Sequence, residues 1–324
     1  MPLLTRSGSV TSGRGRLRLP ILLLAAAGLL GAGCASTVAR PATSAPTTTP
    51  TTPTTTTTTV PPTTTTTEQP GWTPVSSVNG AIAVDTQSFT QSDGAVVTVF
   101  RFRIGAVTYG LHVGTTDPPR GTAVVSADSG SVIGPNEVPL LVAAFNGGFE
   151  SSTGAGGVEL NGQTLVPLQT GLASLVIDTN GSAHVGIWGQ GLPILGEQVA
   201  SVRQNLAPLV AAGAPSPQVT SISAWGATLG GGSAVARSGL GQDVAGDLLY
   251  VGSMSALPSD IAGALISAGA VTGMELDINP AWVQLAYAAT PGAPLTAGIP
   301  GTHRPADQYQ QGWTRDFVTV LATH

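Results

Sequence analysis

Apolar positions along the chain come in short bursts broken by glycine, proline and asparagine, the rhythm of strands and turns rather than of long helices. From Val97 to Ile104, Phe100, Phe102 and Ile104 alternate with Arg101 and Arg103, which predicts a half-exposed strand. Leu140–Phe145 is apolar without interruption and too short for a buried helix, so it reads as a buried strand, as does Leu248–Val251. Ala173–Asp178 and Ser182–Trp188 flank Asn180-Gly181, a hairpin signal in which both turn residues take positive φ. One segment is helical. Pro258-Ser259-Asp260 opens it, Ile261, Leu265 and Ile266 share a face, and Gly269 ends it. A strand over Val271–Asp277 follows, and Trp282–Ala288 and Asp316–Leu321 close the chain as strands. The predicted class is α+β: a strand-rich body with a mixed sheet and few helices.

The first 70 residues break this rhythm. Arg14, Arg16 and Arg18 precede the apolar stretch Leu19–Leu30 and the small residues leading to Cys34, the layout of a secretory signal. The stretch falls short of the roughly 20 residues that span a bilayer comfortably. Ala32-Gly33-Cys34 resembles a bacterial lipoprotein signal, which implies that Cys34 carries lipid and becomes the mature N-terminus. Cleavage near Ala35 and retention as an uncleaved anchor stay open as other fates. Sixteen of the 21 residues from Thr47 to Thr67 are threonine and four are proline. Such a segment buries too little apolar surface to offset its conformational entropy, so it is expected to be a disordered stalk or spacer, and its composition permits O-glycosylation. The division is therefore a signal segment over 1–34, a stalk over 35–70 and a folded body over 71–324. The expected location is the cell envelope, on the outer face of the cytoplasmic membrane, with the membrane as a partner through the lipid.

Charge and cysteine remove several function classes. The chain has no lysine, and beyond Cys34 eight arginines face all seventeen acidic residues. That acidic balance excludes a nucleic-acid-binding surface. A single cysteine excludes an intrachain disulfide and any multi-cysteine zinc site. The four histidines are scattered, and no nucleophile elbow, phosphate loop or dinucleotide fingerprint occurs.

Four places could carry chemistry. Asn146-Gly147-Gly148-Phe149-Glu150 follows the buried strand, where two glycines let backbone approach a ligand or simply make a tight turn. Arg237, ahead of Ser238-Gly239-Leu240-Gly241, offers a fork of donors that fits a phosphate or a surface carboxylate. Glu275, Asp277 and Asn279 are spaced to share one face of a strand. Two such carboxylates can divide acid and base roles in glycosyl transfer, collect a divalent cation, or form a solvated face; nothing in the sequence demands a cofactor. Arg203-Gln204-Asn205-Leu206 reads as a surface turn, a helix start or a substrate-facing loop.

In this order, over about Val138 to Val320, the places resemble the phosphodiester glycosidase family. The matching elements are Asn146-Gly147-Gly148-Phe149 after an apolar strand, Arg237 with the glycines and strand that follow, Leu276-Asp277 at the end of a helix–strand unit, and Arg315-Asp316-Phe317 near the end. The resemblance implies a mixed α+β hydrolase domain that cleaves a sugar from a phosphodiester, here an envelope glycan or sugar phosphodiester. It implies substrate binding by Asn146 and the Gly147–Gly148 backbone, phosphate binding by Arg237, and catalysis by Asp277 with Glu275 or Glu150 as its partner; Asn279, on the same expected strand face as Asp277, is a further candidate for substrate binding. Ile278-Asn279-Pro280 stands where the family has glycines, and Glu150 where an aromatic is common. A catalytically silent glycan-binding lipoprotein is the competing expectation.

Overall fold

In the computed structural model the described residues are 71–226 and 231–323. The expected signal segment, the stalk and Cys34 lie outside them. Three antiparallel sheets of eight, six and five strands make up the body, with only two α-helices among the described residues. The protein is thus mostly β, not α+β, and the expected mixed sheet reduces to one short parallel pairing of Gly191–Leu192 on Ile187–Trp188.

Alternation along the longest strands explains how the eight-stranded sheet is covered on both faces. Phe100 and Phe102, with Leu248 and Tyr250, point into the main core, which is shared by all three sheets. Val97 and Val99, with Leu249 and Val251, point the other way, onto the helix Pro258–Ser267. The strand Val96–Phe102 is therefore buried on both faces and not half-exposed. Arg101 is accommodated there because Asp85 takes its Nε and Nη2 at 2.9 and 2.7 Å and Trp72 lies beneath its guanidinium at 4.0 Å.

The helix forms where its sequence signals place it. Asp260 Oδ2 accepts the Leu257 N–H at 2.8 Å, Pro258 needs no donor in the first turn, and Gly269 leaves the helix at φ 102°. Leu265 seats over Gly241 and Gly273 of adjacent strands, where a β-carbon would stand 3.1 Å from its methyls. Of the two hairpin residues Asn180-Gly181, only Gly181 has positive φ, while the Asn180 side chain accepts the Ser182 N–H at 2.9 Å. The expected strand from Trp282 begins only at Leu285.

Strand ends from all three sheets meet at one place. Leu141–Asn146 and Phe317–Ala322 pair so that Asn146 faces Phe317. Val199–Gln204 of the six-stranded sheet and Ala270–Ile278 of the eight-stranded sheet finish beside them, as the contacts below describe. Because Leu265 fills the hollow that two glycines leave, Leu265→Ala is expected to lower unfolding free energy by about 2–5 kcal/mol in urea titration, with little effect on the distant strand ends.

Candidate active site

The construction begins with a buried ion pair. Arg203 at the end of its strand donates Nε to Asp316 Oδ2 at 2.7 Å and Nη2 to Oδ1 at 3.2 Å, and both side chains are almost wholly buried. The remaining donors go to main-chain oxygens, Nη1 to Gln204 at 2.8 Å and Nη2 to Phe149. Gly147 and Gly148 lie against this pair, with their N–H groups donating to Asp316 O and Oδ2 at 3.0 and 3.2 Å. A β-carbon on Gly147 would stand 1.8 Å from Asp316 Oδ2, and one on Gly148 2.9 Å from Arg203 Cζ. The two glycines thus permit a close approach, but to an internal ion pair and not to a ligand.

Asn146 is also inside. Its Oδ1 accepts from Tyr250 O–H at 2.8 Å and Gln284 N–H at 3.1 Å, and its Nδ2 donates to Ser238 Oγ at 2.9 Å. Ser238 in turn donates to Asp277 O at 2.8 Å. Asn205 performs a similar task, accepting the Phe149 N–H at 3.1 Å and donating to Glu275 O and Leu276 O. Residues 203–205 are therefore a buried brace, not a surface turn, and Leu206 beyond them lines the cavity described below.

The expectation that Glu275, Asp277 and Asn279 share a face fails at a bulge. Gly239 faces Glu275 but Arg237 faces Ile278, so the strand carries one extra residue between those pairs. Glu275 turns to Arg237, whose Nη1 meets Oε1 at 2.6 Å, and both side chains are fully buried. Arg237 also donates to Trp225 O and Ala256 O. Placed there, Arg237 and Glu275 are fully buried against each other, and neither lines the cavity that Asp277 reaches.

Asp277 and Asn279 do reach open space. They line a cavity of about 590 Å³ together with Glu150 and Arg315. Its apolar wall includes Phe149, Ile278 and Trp282. Asn279 takes φ 81°, the left-handed region that asparagine enters more readily than most side chains, so the segment turns there without a glycine. Arg315 organises the polar side. Its Nη2 lies 2.9 Å from Asp277 Oδ2 and 3.1 Å from Gly148 O, its Nη1 lies 3.2 Å from Glu150 Oε1, and its guanidinium sits 4.9 Å above the Trp282 ring. Among the described residues its Nε has no hydrogen-bond acceptor. Asp277 Oδ1 accepts the Ile278 N–H at 2.8 Å.

Burial pushes the Asp277 carboxyl up to about 7, against the pull of Arg315. Glu150, half exposed, remains in contact with solvent. One guanidinium therefore bridges a buried carboxyl poised near neutrality and a solvated carboxylate. Arg315 and Trp282 are the residues that sequence reasoning missed as site residues. The scarcity of arginine was the available signal for the first, while Trp282 had been assigned to a strand.

The sequence matches no family model and no curated protein. Among solved structures, the chain is similar to the catalytic domain of zebrafish N-acetylglucosamine-1-phosphodiester alpha-N-acetylglucosaminidase, auto-inhibited by its pro-peptide. That match has 13% identity over 78% of this chain and 88% of that one, with a TM-score of 0.47. It is also similar to a hypothetical protein from Synechocystis, at 12% identity over 76% of this chain and 63% of that one, with a TM-score of 0.45.

Two outcomes follow from the electrostatics. Asp316→Asn leaves Arg203 buried without its counter-charge and is expected to cost about 3–5 kcal/mol of unfolding free energy by chemical denaturation. For Asp277 the folded pKa of about 7 exceeds the unfolded carboxylate value of about 3.9, so the folded state holds a proton that the unfolded chain has released. Its contribution is full below about pH 4 and lost as pH rises through 7. Asp277→Asn should remove that decline and unfold at higher urea than the wild type at neutral pH.

Proposed function

We propose that the protein is an exported, lipid-anchored hydrolase that cleaves a phosphodiester-linked sugar of an envelope glycan. The observation that carries the reading is the Arg315 guanidinium set between Asp277 and Glu150 in a cavity with an apolar wall. Cleavage at a sugar–phosphate bond releases an anion, which needs charge stabilisation more than a proton. Arg315 takes the phosphate-binding role first expected of Arg237. Its planar fork matches phosphate oxygens, and its Nε is a donor without an acceptor among the described residues.

The sugar occupies the cavity against Trp282 and Ile278, and Asn279 supplies a polar contact to its hydroxyls. Asp277, ionised in substantial fraction at neutral pH, accepts the proton of the attacking water, and Glu150 is its partner across the guanidinium. Export and attachment at the outer face of the cytoplasmic membrane rest on the signal-like segment and Cys34. Among the described residues no helix is long and apolar enough to cross a membrane.

A second reading, glycan capture without turnover, is favoured by one observation: both Asp277 oxygens are already engaged, by Arg315 and by the Ile278 N–H. Incubation with a sugar 1-phosphodiester separates the two. Hydrolysis predicts release of free sugar, a kcat about 10²–10⁴-fold lower in Asp277→Asn, and a kcat/KM that climbs with pH through about 7 as the base ionises. Binding without release supports capture, and equal release by both proteins would sink the role given to Asp277.

A further inference from the structure

The six-stranded sheet holds a second cluster, none of whose members lines the cavity. Asp178 ends the strand Ala173–Asp178, His184 stands near the start of Ala183–Trp188, and Glu197 lies just ahead of Val199–Gln204. One ligand atom from each comes within 4.8 Å of the others. His184 Nε2 is 3.5 Å from Asp178 Oδ2 and 3.2 Å from Glu197 Oε2.

These approaches are not hydrogen bonds. Among the described residues His184 Nε2 has no hydrogen-bond partner, although two carboxylates face it, and Asp178 Oδ1 has none either. Asp178 is only 4% exposed, so water does little to satisfy it. Its Oδ2 accepts from Ser182 Oγ at 3.2 Å, which fixes the carboxylate without using the oxygen that lacks a partner. A cation held at about 2.0–2.2 Å by nitrogen and oxygen ligands sets those ligands about 3.0–3.6 Å apart; the two separations from His184 Nε2 fall in that range, and the two carboxylates lie within 4.8 Å of each other.

We propose that Asp178, His184 and Glu197 form a binding site for a divalent transition metal of the zinc class. The imidazole decides the class, because calcium and magnesium favour all-oxygen shells whereas zinc accepts nitrogen and carboxylate together. Three protein ligands leave a fourth position to water. The metal's role is a clip. It ties the connection bearing Glu197 and the fully exposed Leu195 to the end of the hairpin, just beyond the pairing of Val199 with Asp178 and the backbone bond from Thr179 N–H to Gln198 O at 2.8 Å.

Calorimetric titration of the chelator-treated full chain with Zn²⁺ at neutral pH tests the site. One Zn²⁺ per chain is expected, with binding weakened about tenfold or more in His184→Ala and in Glu197→Gln, since loss of a ligand costs at least as much as loss of a ligand's supporting hydrogen bond. Glu197 is in an exposed connection, so its variant tests the site even if His184→Ala fails to fold. His303→Ala is expected to bind as the wild type does. Absence of saturable zinc binding, or binding undiminished in both site variants, would overturn the proposal and leave His184 as a plain ion-pair partner of the two carboxylates.

Discussion

The site depends on keeping Arg203 and Asp316 charged inside the protein. Two ions out of water are tolerable only when geometry is good and the remaining donors and lone pairs are matched. Here matching extends into the main chain: the guanidinium takes Gln204 O and Phe149 O, and the carboxylate takes the Gly148 N–H. Main-chain groups can come that close only where there is no β-carbon, which explains Gly147 and Gly148. Sequence adjacency then does the rest, for Arg315 precedes Asp316 and its side chain is delivered to the cavity beside Asp277 and Glu150.

Four arginines are buried among the described residues of a chain that has no lysine, and they serve different ends. Arg101 joins Asp85 to Trp72 on the helix-covered face of the eight-stranded sheet, Arg203 sets the strand-end junction, and Arg237 anchors Glu275 beside Trp225. A planar, weakly hydrated guanidinium that keeps its proton suits such positions better than an ammonium, which would lose its charge on burial. Arg315 differs in having a cavity beside it, so its electrostatic field falls on open space and not only on fixed partners.

Much of the fold was legible where one signal outweighed the others. The unbroken apolar run ending at Asn146 could be only a buried strand, and Pro258, Asp260 and Gly269 bracketed the helix without tertiary help. Asp277 and Asn279 stood out by their two-residue spacing along a strand and Glu150 by following the Asn146–Phe149 turn, and all three line the cavity. What failed was orientation. A bulge between Glu275 and Ile278 leaves no mark in a strand of ordinary residues, yet it sends Glu275 to Arg237 and Asp277 to the cavity. Gly147 and Gly148 were singled out as a place of close approach, but to a ligand; the groups approached are Asp316 and Arg203, partners distant in sequence that only tertiary structure brings there.

Trp72 gives the described body a mechanical boundary. It is buried under the Arg101 guanidinium one residue before the strand Thr73–Val78 begins, and Thr73 faces Thr86 at the open end of the hairpin whose turn is Asn79-Gly80. A pull transmitted through the residues that precede Gly71 therefore meets an aromatic–guanidinium clamp before it meets any strand ladder. The guanidinium is itself held by two bonds to Asp85 on the neighbouring strand, so the load passes at once from the first strand to the second and third. Tension on the N-terminal side is in this way spread across the eight-stranded sheet, at a distance in the chain from Asp277 and Arg315.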